Sequence, residues 1–156
     1  MNIRIGFGYD IHRLSLGREL FLGGIKIPSG VGLEGHSDAD VVLHAICDAI
    51  LGAISLGDIG EHFPDTDEKM KNIRSTLIVE EVLKMASFEV LNVDTTIVAE
   101  TPILSPYKEK IRESIARILC VGKERISVKA KTNEGLGPIG AKKAIACFAV
   151  VLLKIL

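Results

Sequence analysis

The sequence predicts one α+β domain over residues 1–156, a β-sheet carrying helices on one face. Three observations predict it. Segments that alternate apolar and other residues (2–9, 89–100, 125–133) are interspersed with segments whose apolar residues recur at helical spacing (38–55, 74–87, 105–120). No repeat, linker or low-complexity stretch divides the chain. The 156 residues, 47% of them hydrophobic, suit one domain with a sizeable core.

The elements follow in order. Ile3, Ile5, Phe7 and Tyr9 alternate over residues 2–9 and mark a strand. Residues 20–27 suit a short hairpin broken at Gly23-Gly24, and a glycine-bearing loop runs from Gly30 to Gly35. Ser37 is a suitable N-cap, with Asp40 three positions on, as in a capping box. From Asp38 the pattern Val41, Val42, Ala45, Ile46, Ala49, Ile50, Ala53 is helical to about Ser55. Residues 56–72 are polar, contain Gly and Pro, and predict a loop; one so long is usually functional or mobile. A helix is expected over 74–87, with Leu77, Ile78, Val82 and Leu83 on one face. Residues 89–100, with the β-branched run Thr95 to Val98, predict a strand. Ser105 and Pro106 open a helix to about Cys120, because Pro is tolerated in a first turn. Ile126, Val128 and Ala130 share one face of a strand over 125–133. The nearly continuous apolar run 143–154 fits a helix or a strand by length. Phe148, Val150 and Val151 favour a strand buried on both faces.

Composition excludes some functions. A formal charge of −1 is too small for a sequence-independent nucleic-acid binder, so no nucleic-acid partner is expected. The start MNIRIGFGYDIH has no basic region followed by an apolar one, and Ala144 to Leu156 is too short to span a bilayer. No membrane partner is expected, and the location is the cytoplasm, or the stroma if the source bears plastids. Cys47, Cys120 and Cys147 are odd in number and form no C-x-x-C pair. Each is expected to be a small buried hydrophobe.

Four segments carry chemistry. Asp10 and His12 alternate on an extended segment and can face one ion, and His44 lies in the first turns of a helix. One oxygen and two imidazole nitrogens make a three-ligand set with one tetrahedral position open, the pattern of catalytic zinc. A hydrogen-bonded Asp-x-His pair and a satisfied core histidine fit the same residues. Gly35-His36-Ser37-Asp38 precedes a helix, where free N–H groups favour an anion; Ser37 as a cap alone is the simpler alternative. The loop Gly57-Asp58-Ile59-Gly60 with Phe63-Pro64-Asp65-Thr66-Asp67 offers carboxylates and backbone to polyol hydroxyls, or is a solvated loop with a Pro turn. Lys129-Ala130-Lys131-Thr132-Asn133-Glu134 ends a strand. Its lysines and threonine suit phosphate oxygens and Glu134 suits Mg²⁺ or Mn²⁺, or the segment is a turn with surface charges.

Taken together, G-x-G-Y-D-I-H at 6–12, G-H-S-D-A-D-V-V-L-H at 35–44, L-G-D-I-G at 56–60, F-P-D-T-D at 63–67 and K-A-K-T-N-E at 129–134 resemble the 2-C-methyl-D-erythritol 2,4-cyclodiphosphate synthase family of the non-mevalonate isoprenoid pathway. The resemblance spans nearly the whole chain. It implies a single-domain mixed sheet assembled as a homotrimer, with active sites between subunits. It implies Asp10, His12 and His44 as ligands of one Zn²⁺ per site, with Glu134 on an Mg²⁺ or Mn²⁺ ion bound by the substrate diphosphate. The implied partner is a cytidine diphosphate-linked small molecule, 4-diphosphocytidyl-2-C-methyl-D-erythritol 2-phosphate, cyclised with release of CMP. His36 and Thr132 match the family's transition-state stabilisers. Asp10, His12, His36 and Ser37 match phosphate-side contacts, and Asp58, Ile59 and Gly60 with Phe63, Pro64, Asp65, Thr66 and Asp67 match the erythritol and ribose contacts. Ala99, Glu100, Thr101, Pro102, Ile103, Leu104 and Ser105 match the loop whose backbone reads cytosine. Lys131, Thr132, Asn133 and Glu134 complete the substrate set. The chain departs from the common pattern at Ile103 (often Lys), Lys131 and Asn133 (often Thr), Pro138 (often aromatic), Ala141 (often Arg) and Phe148 (often Glu). The competing readings are a metal-dependent phosphohydrolase and a non-catalytic trimeric metal-binding module.

Overall fold

In the computed structural model, which describes residues 2–156 and leaves Met1 outside, the first strand runs from Ile3 to Leu16 (β1). It extends well past the expected 2–9 and carries Asp10 and His12 on regular strand. A hairpin of β2 (Leu20–Leu22) and β3 (Ile25–Ile27) turns at Gly23-Gly24, as expected, and β4 (Val31–Leu33) returns to β1. Then come α1 (Val41–Ala53), the short α2 (Ile59–His62), α3 (Ser75–Leu83), β5 (Phe88–Val98), α4 (Lys108–Ile118), β6 (Ile126–Lys131), the single turn α5 (Gly137–Gly140) and β7 (Ala144–Ile155). Five strands form one sheet in the order β4-β1-β7-β5-β6. All pairs are antiparallel except β5–β6, whose parallel pairing is reached through the α4 crossover, so the sheet is mixed.

Helix α1 is the centre of the core: eleven of its thirteen residues are buried. It lies on β1 and β7, and the fit explains the sequence of β1. A Cβ on Gly6 would sit 1.8 Å from the Ala49 carbonyl oxygen, and one on Gly8 would sit 1.9 Å from that of Ala45. Only glycine lets the helix backbone approach the strand so closely. The apolar alternates of β1 therefore face the other way: Ile5, Phe7, Tyr9 and Ile11 are 71%, 62%, 44% and 42% exposed.

Several expectations are corrected. Helix α1 starts at Val41, not Asp38, and its cap is Asp40, whose carboxylate accepts from the Leu43 N–H. Ser37 instead closes a tight turn by accepting from the Ala39 N–H, with Ala39 at φ 55°. Strand β7 is buried on both sides only near its start. Ile145, Cys147, Ala149, Val151 and Leu153 are buried along one face, whereas Phe148 is 40% exposed and stacks beside Phe7 and Tyr9. Leu77 faces solvent; Ile78, Val79 and Val82 form the inner face of α3. Ser105 and Pro106 form a 3₁₀ turn ahead of α4. The 56–72 segment is partly helical: Asp58 caps α2 and Asp67 caps a 3₁₀ turn at Glu68–Met70. Cys120 is exposed at φ 56°, while Cys47 and Cys147 are buried and burial pushes both thiols far up, leaving them unreactive. No helix among the described residues is long and apolar enough to cross a membrane.

Candidate functional site

Asp10 and His12 point to the same side of β1 as Gly6 and Gly8, toward α1. Because the glycines bring α1 close, His44 in its first turn reaches both. The Asp10 Oδ2 is 2.9 Å from His12 Nε2 and 3.2 Å from His44 Nδ1, and the two ring nitrogens are 3.3 Å apart. Their partners orient all three. The Nδ1–H of His12 donates to the Glu34 carbonyl at 2.7 Å, which leaves the Nε2 lone pair facing the cluster. The Nε2–H of His44 meets the Ser75 hydroxyl at 2.9 Å, with Ser37 Oγ at 3.2 Å, leaving Nδ1 free on the cluster side. The Ser75 hydroxyl in turn donates to Asp38 in a short bond. Burial pushes the Asp10 carboxyl up, but the hydrogen bonds and charge of His12 and His44 outweigh it and hold it below its usual value. Burial likewise pulls His12 down, and the Asp10 carboxylate outweighs it and raises the imidazole above its usual value. Two imidazole lone pairs and a carboxylate oxygen aimed at one point can hold a metal ion.

These residues form one end of a cavity of about 500 Å³. His36 and Ser37 line it with the cluster, and Ile59, Gly60, Phe63, Pro64 and Asp65 contribute a second stretch of its wall. Met70, Ile73 and Ile78 give it an apolar floor. The wall is braced from behind. Asp48 on α1 accepts from the Ile59 N–H at 2.8 Å, and Asp58 caps α2 through the Glu61 N–H at 3.0 Å. His36 Nε2 lies 3.3 Å from the Asp67 carbonyl, and the Asp67 carboxylate accepts from the Lys69 N–H; Thr66 stands exposed between cavity and turn. Arg18 donates to the carbonyls of Leu33 and Ser37 at 3.0 and 3.3 Å, fixing the segment that carries His36. Glu34, Ser75, Asp48 and Arg18 were not singled out in the sequence, and Asp38 was named only as part of the segment before α1; of the four, Ser75 alone carried a local signal, as a polar residue at a helix start.

The remaining predicted residues gather elsewhere. Ala99 donates to the Lys131 carbonyl at 2.9 Å, and the Glu100 carboxylate accepts from the Asn133 and Gly135 N–H groups at 2.6 and 3.2 Å. Thr101 joins Pro102 through a cis peptide, Ile103 is 76% exposed, Leu104 is buried, and Ser105 starts the 3₁₀ turn. Thr132 Oγ1 accepts from the Glu134 N–H at 3.3 Å, and Glu134 is exposed at φ 52°. None of these lines the cavity of Asp10, His12 and His44. They lie at the same level of the sheet, since Ile11 pairs with Ala146, Ala146 with Val98, and Val98 with Lys131. Three strand spacings, about 14 Å, separate β1 from β6.

A model of the YgbB family matches residues 3–154. A 2-C-methyl-D-erythritol 2,4-cyclodiphosphate synthase of Syntrophomonas wolfei is 54% identical, the match covering 97% of this chain and 99% of that protein. The solved bifunctional IspDF of Campylobacter jejuni superposes with a TM-score of 0.92 at 42% identity; 99% of this chain matches 43% of that longer one. An IspF of Plasmodium falciparum in complex with CDP gives a TM-score of 0.84 at 39% identity, covering 97% of this chain and 96% of that one.

Proposed function

Since the chain belongs to the YgbB family, we propose that it converts 4-diphosphocytidyl-2-C-methyl-D-erythritol 2-phosphate into 2-C-methyl-D-erythritol 2,4-cyclodiphosphate and CMP. It acts as a cyclising lyase of isoprenoid precursor synthesis, with one synthase domain over residues 1–156. The observation that carries this reading is the convergence of Asp10, His12 and His44 in one cavity with His36 and Ser37.

The donor set fits zinc. Bonds of about 2.0–2.1 Å in a tetrahedron put ligand atoms about 3.3 Å apart, and the three separations are 2.9, 3.2 and 3.3 Å. Bound there, Zn²⁺ supplies a Lewis acid with one position open to a phosphate oxygen. Asp10, His12 and His44 would hold that ion, and the Glu134 carboxylate would serve an Mg²⁺ or Mn²⁺ ion brought in with the diphosphate. The chain's own groups then position and stabilise. His36 and Ser37 place donors against the phosphates, and Thr132 adds a hydroxyl where charge develops. The wall of Asp58, Ile59, Gly60 and Phe63 to Asp67 orients the erythritol so that its 2-phosphate faces the β-phosphorus. The backbone of 99–105 reads cytosine. No side-chain nucleophile is needed, because the attacking phosphate belongs to the substrate.

The assembly is a homotrimer with sites between subunits. Two observations support it: the exposed face of Ile5, Phe7, Tyr9, Ile11 and Phe148 is too apolar for a free surface, and the two groups of site residues do not share a cavity within one chain. The location is the cytoplasm, or the stroma in a plastid-bearing source. Phosphorus NMR of the products tests the reaction: a cyclic diphosphate and CMP in equal amounts are expected, whereas a linear phosphate product overturns it.

A further inference from the structure

Residues 132–137 have no strand partner, yet they carry Thr132 and Glu134 in an unusual backbone. Glu134 sits at φ 52°, Gly135 at 73° and Gly137 at 66°. For a residue with a side chain the left-handed conformation costs roughly 1 kcal/mol or more, so Glu134 keeps it only if its surroundings impose it. Three successive amides do so by turning inward. Those of Asn133 and Gly135 both reach Glu100 Oε1, at 2.6 and 3.2 Å, and that of Glu134 reaches Thr132 Oγ1 at 3.3 Å. Such a concave run of N–H groups binds anions. Here a carboxylate of the same chain fills it, delivered from the loop that follows β5.

We propose that Glu100 is a positioning residue: its carboxylate clamps the 133–135 amides, fixes the Glu134 carboxylate, and ties the backbone that faces the base to the groups that face the phosphates. The rest of the loop leaves this work to Glu100. Asn133 Nδ2 donates to the Leu136 carbonyl at 2.8 Å and Leu136 donates back to Asn133 at 2.9 Å, which closes the following turn but does not hold the 133 and 135 amides. The close approach of Gly140 to Gly135 packs the loop from the other side, where a Cβ would come within 2.1 Å of the Gly135 carbonyl carbon. Among the described residues, these two bonds to one oxygen are the only hydrogen bonds that residues 132–137 receive from the β5 side. A side chain with an acceptor at that point therefore suffices, and the negative charge is secondary.

The inference rests on the proposed role of Glu134 at a diphosphate-bound cation. Its test uses the zinc-loaded protein in its native assembly, with CDP as the probe, titrated calorimetrically with and without Mn²⁺. Glu134→Gln is the control, and amide hydrogen exchange at 133 and 135 is a second readout. Loss of two hydrogen bonds to a charged acceptor predicts that Glu100→Ala weakens CDP binding in Mn²⁺ by about tenfold to a hundredfold. It should barely change binding without Mn²⁺ and should speed exchange at both amides. Glu100→Gln, which keeps an oxygen in place, should restore binding to within about threefold in the same Mn²⁺ titration. Equal weakening with and without Mn²⁺ would make Glu100 a nucleotide contact and overturn the proposal. So would unchanged or tighter binding in Glu100→Ala, or a Glu100→Gln variant as defective as the alanine one. If Glu134→Gln leaves the Mn²⁺ effect intact, the reading of Glu134 fails instead, and the exchange data still decide whether Glu100 holds the loop.

Discussion

At residue scale, one fully buried carboxylate joins two parts of the chain. Asp40 Oδ1 accepts from Gly23 and Leu43 at 2.9 and 3.1 Å, and Oδ2 accepts from Gly24 at 2.7 Å. It therefore caps α1 and pins the turn of the β2–β3 hairpin to it. In Asp40→Asn one oxygen becomes an NH₂ group facing a backbone donor, so at least one buried N–H loses its acceptor. A loss of about 1–3 kcal/mol is expected in urea unfolding, with the substitution nearly neutral in size. Ser75 acts on chemistry instead of stability. It is fully buried between His44 and Asp38, and fixes which nitrogen of His44 keeps a lone pair for the ion. Ser75→Ala should weaken zinc binding by about 10–100-fold in competition with a chelator, with the circular dichroism spectrum unchanged.

At element scale, α1 is both core helix and frame of the cavity. Its Asp48 holds the start of α2 through the Ile59 N–H. Burial, then the nearby Asp58 and Asp10 carboxylates, raise the Asp48 carboxyl above its usual value in the metal-free protein. A folded-state value above the unfolded one gives stability that is full below the unfolded value, near pH 4, and is lost as pH rises through the folded one. Asp48→Asn keeps an acceptor for Ile59 and removes the charge. In zinc-free protein it should therefore melt higher than wild type at pH 7, and the gain should vanish by about pH 4 in thermal scans. The same helix shows what could be seen in the sequence. Its apolar spacing and His44 were legible because a 3.6-residue period survives any environment. Its first residue was not, because Ser37, Asp38 and Asp40 are all competent caps and only the hairpin amides of Gly23 and Gly24 select Asp40. The strand β1 was legible by alternation, but which face it buries was not: Gly6 and Gly8 mark the inner face only once the close approach of α1 is known. The Asp10, His12, His44 set was readable as residues, whereas the Glu34 and Ser75 contacts that orient its rings were not, because they depend on tertiary contact. Leu77 and Cys120 were misplaced because their apolar character alone does not say which side of a helix end meets the core.

At the scale of the whole molecule, the open face of β1 and β7 and the division of the site bear on the proposed homotrimer. The Phe148 ring lies tilted against those of Phe7 and Tyr9 at 6.2 and 4.9 Å, and all three leave much of their surface bare, an apolar patch of the kind that marks an interaction surface. The Asp10, His12, His44 cluster and the Thr132–Glu134 loop sit at one level of the sheet with β7 and β5 between them, and the loop does not line the cluster's cavity. In the homotrimer we propose, each site draws its two halves from two polypeptides. Two gene variants that are each dead can then make a living enzyme. His44→Ala spoils one half and Glu134→Gln the other, so either homotrimer should fail. Chains co-expressed in equal amounts and mixing at random place an intact cluster against an intact loop at one boundary in four. The co-expressed population should recover about a quarter of the wild-type turnover, because each mixed trimer holds one intact boundary of its three and the homotrimers hold none, and mixing the separately assembled homotrimers should recover none until subunits exchange.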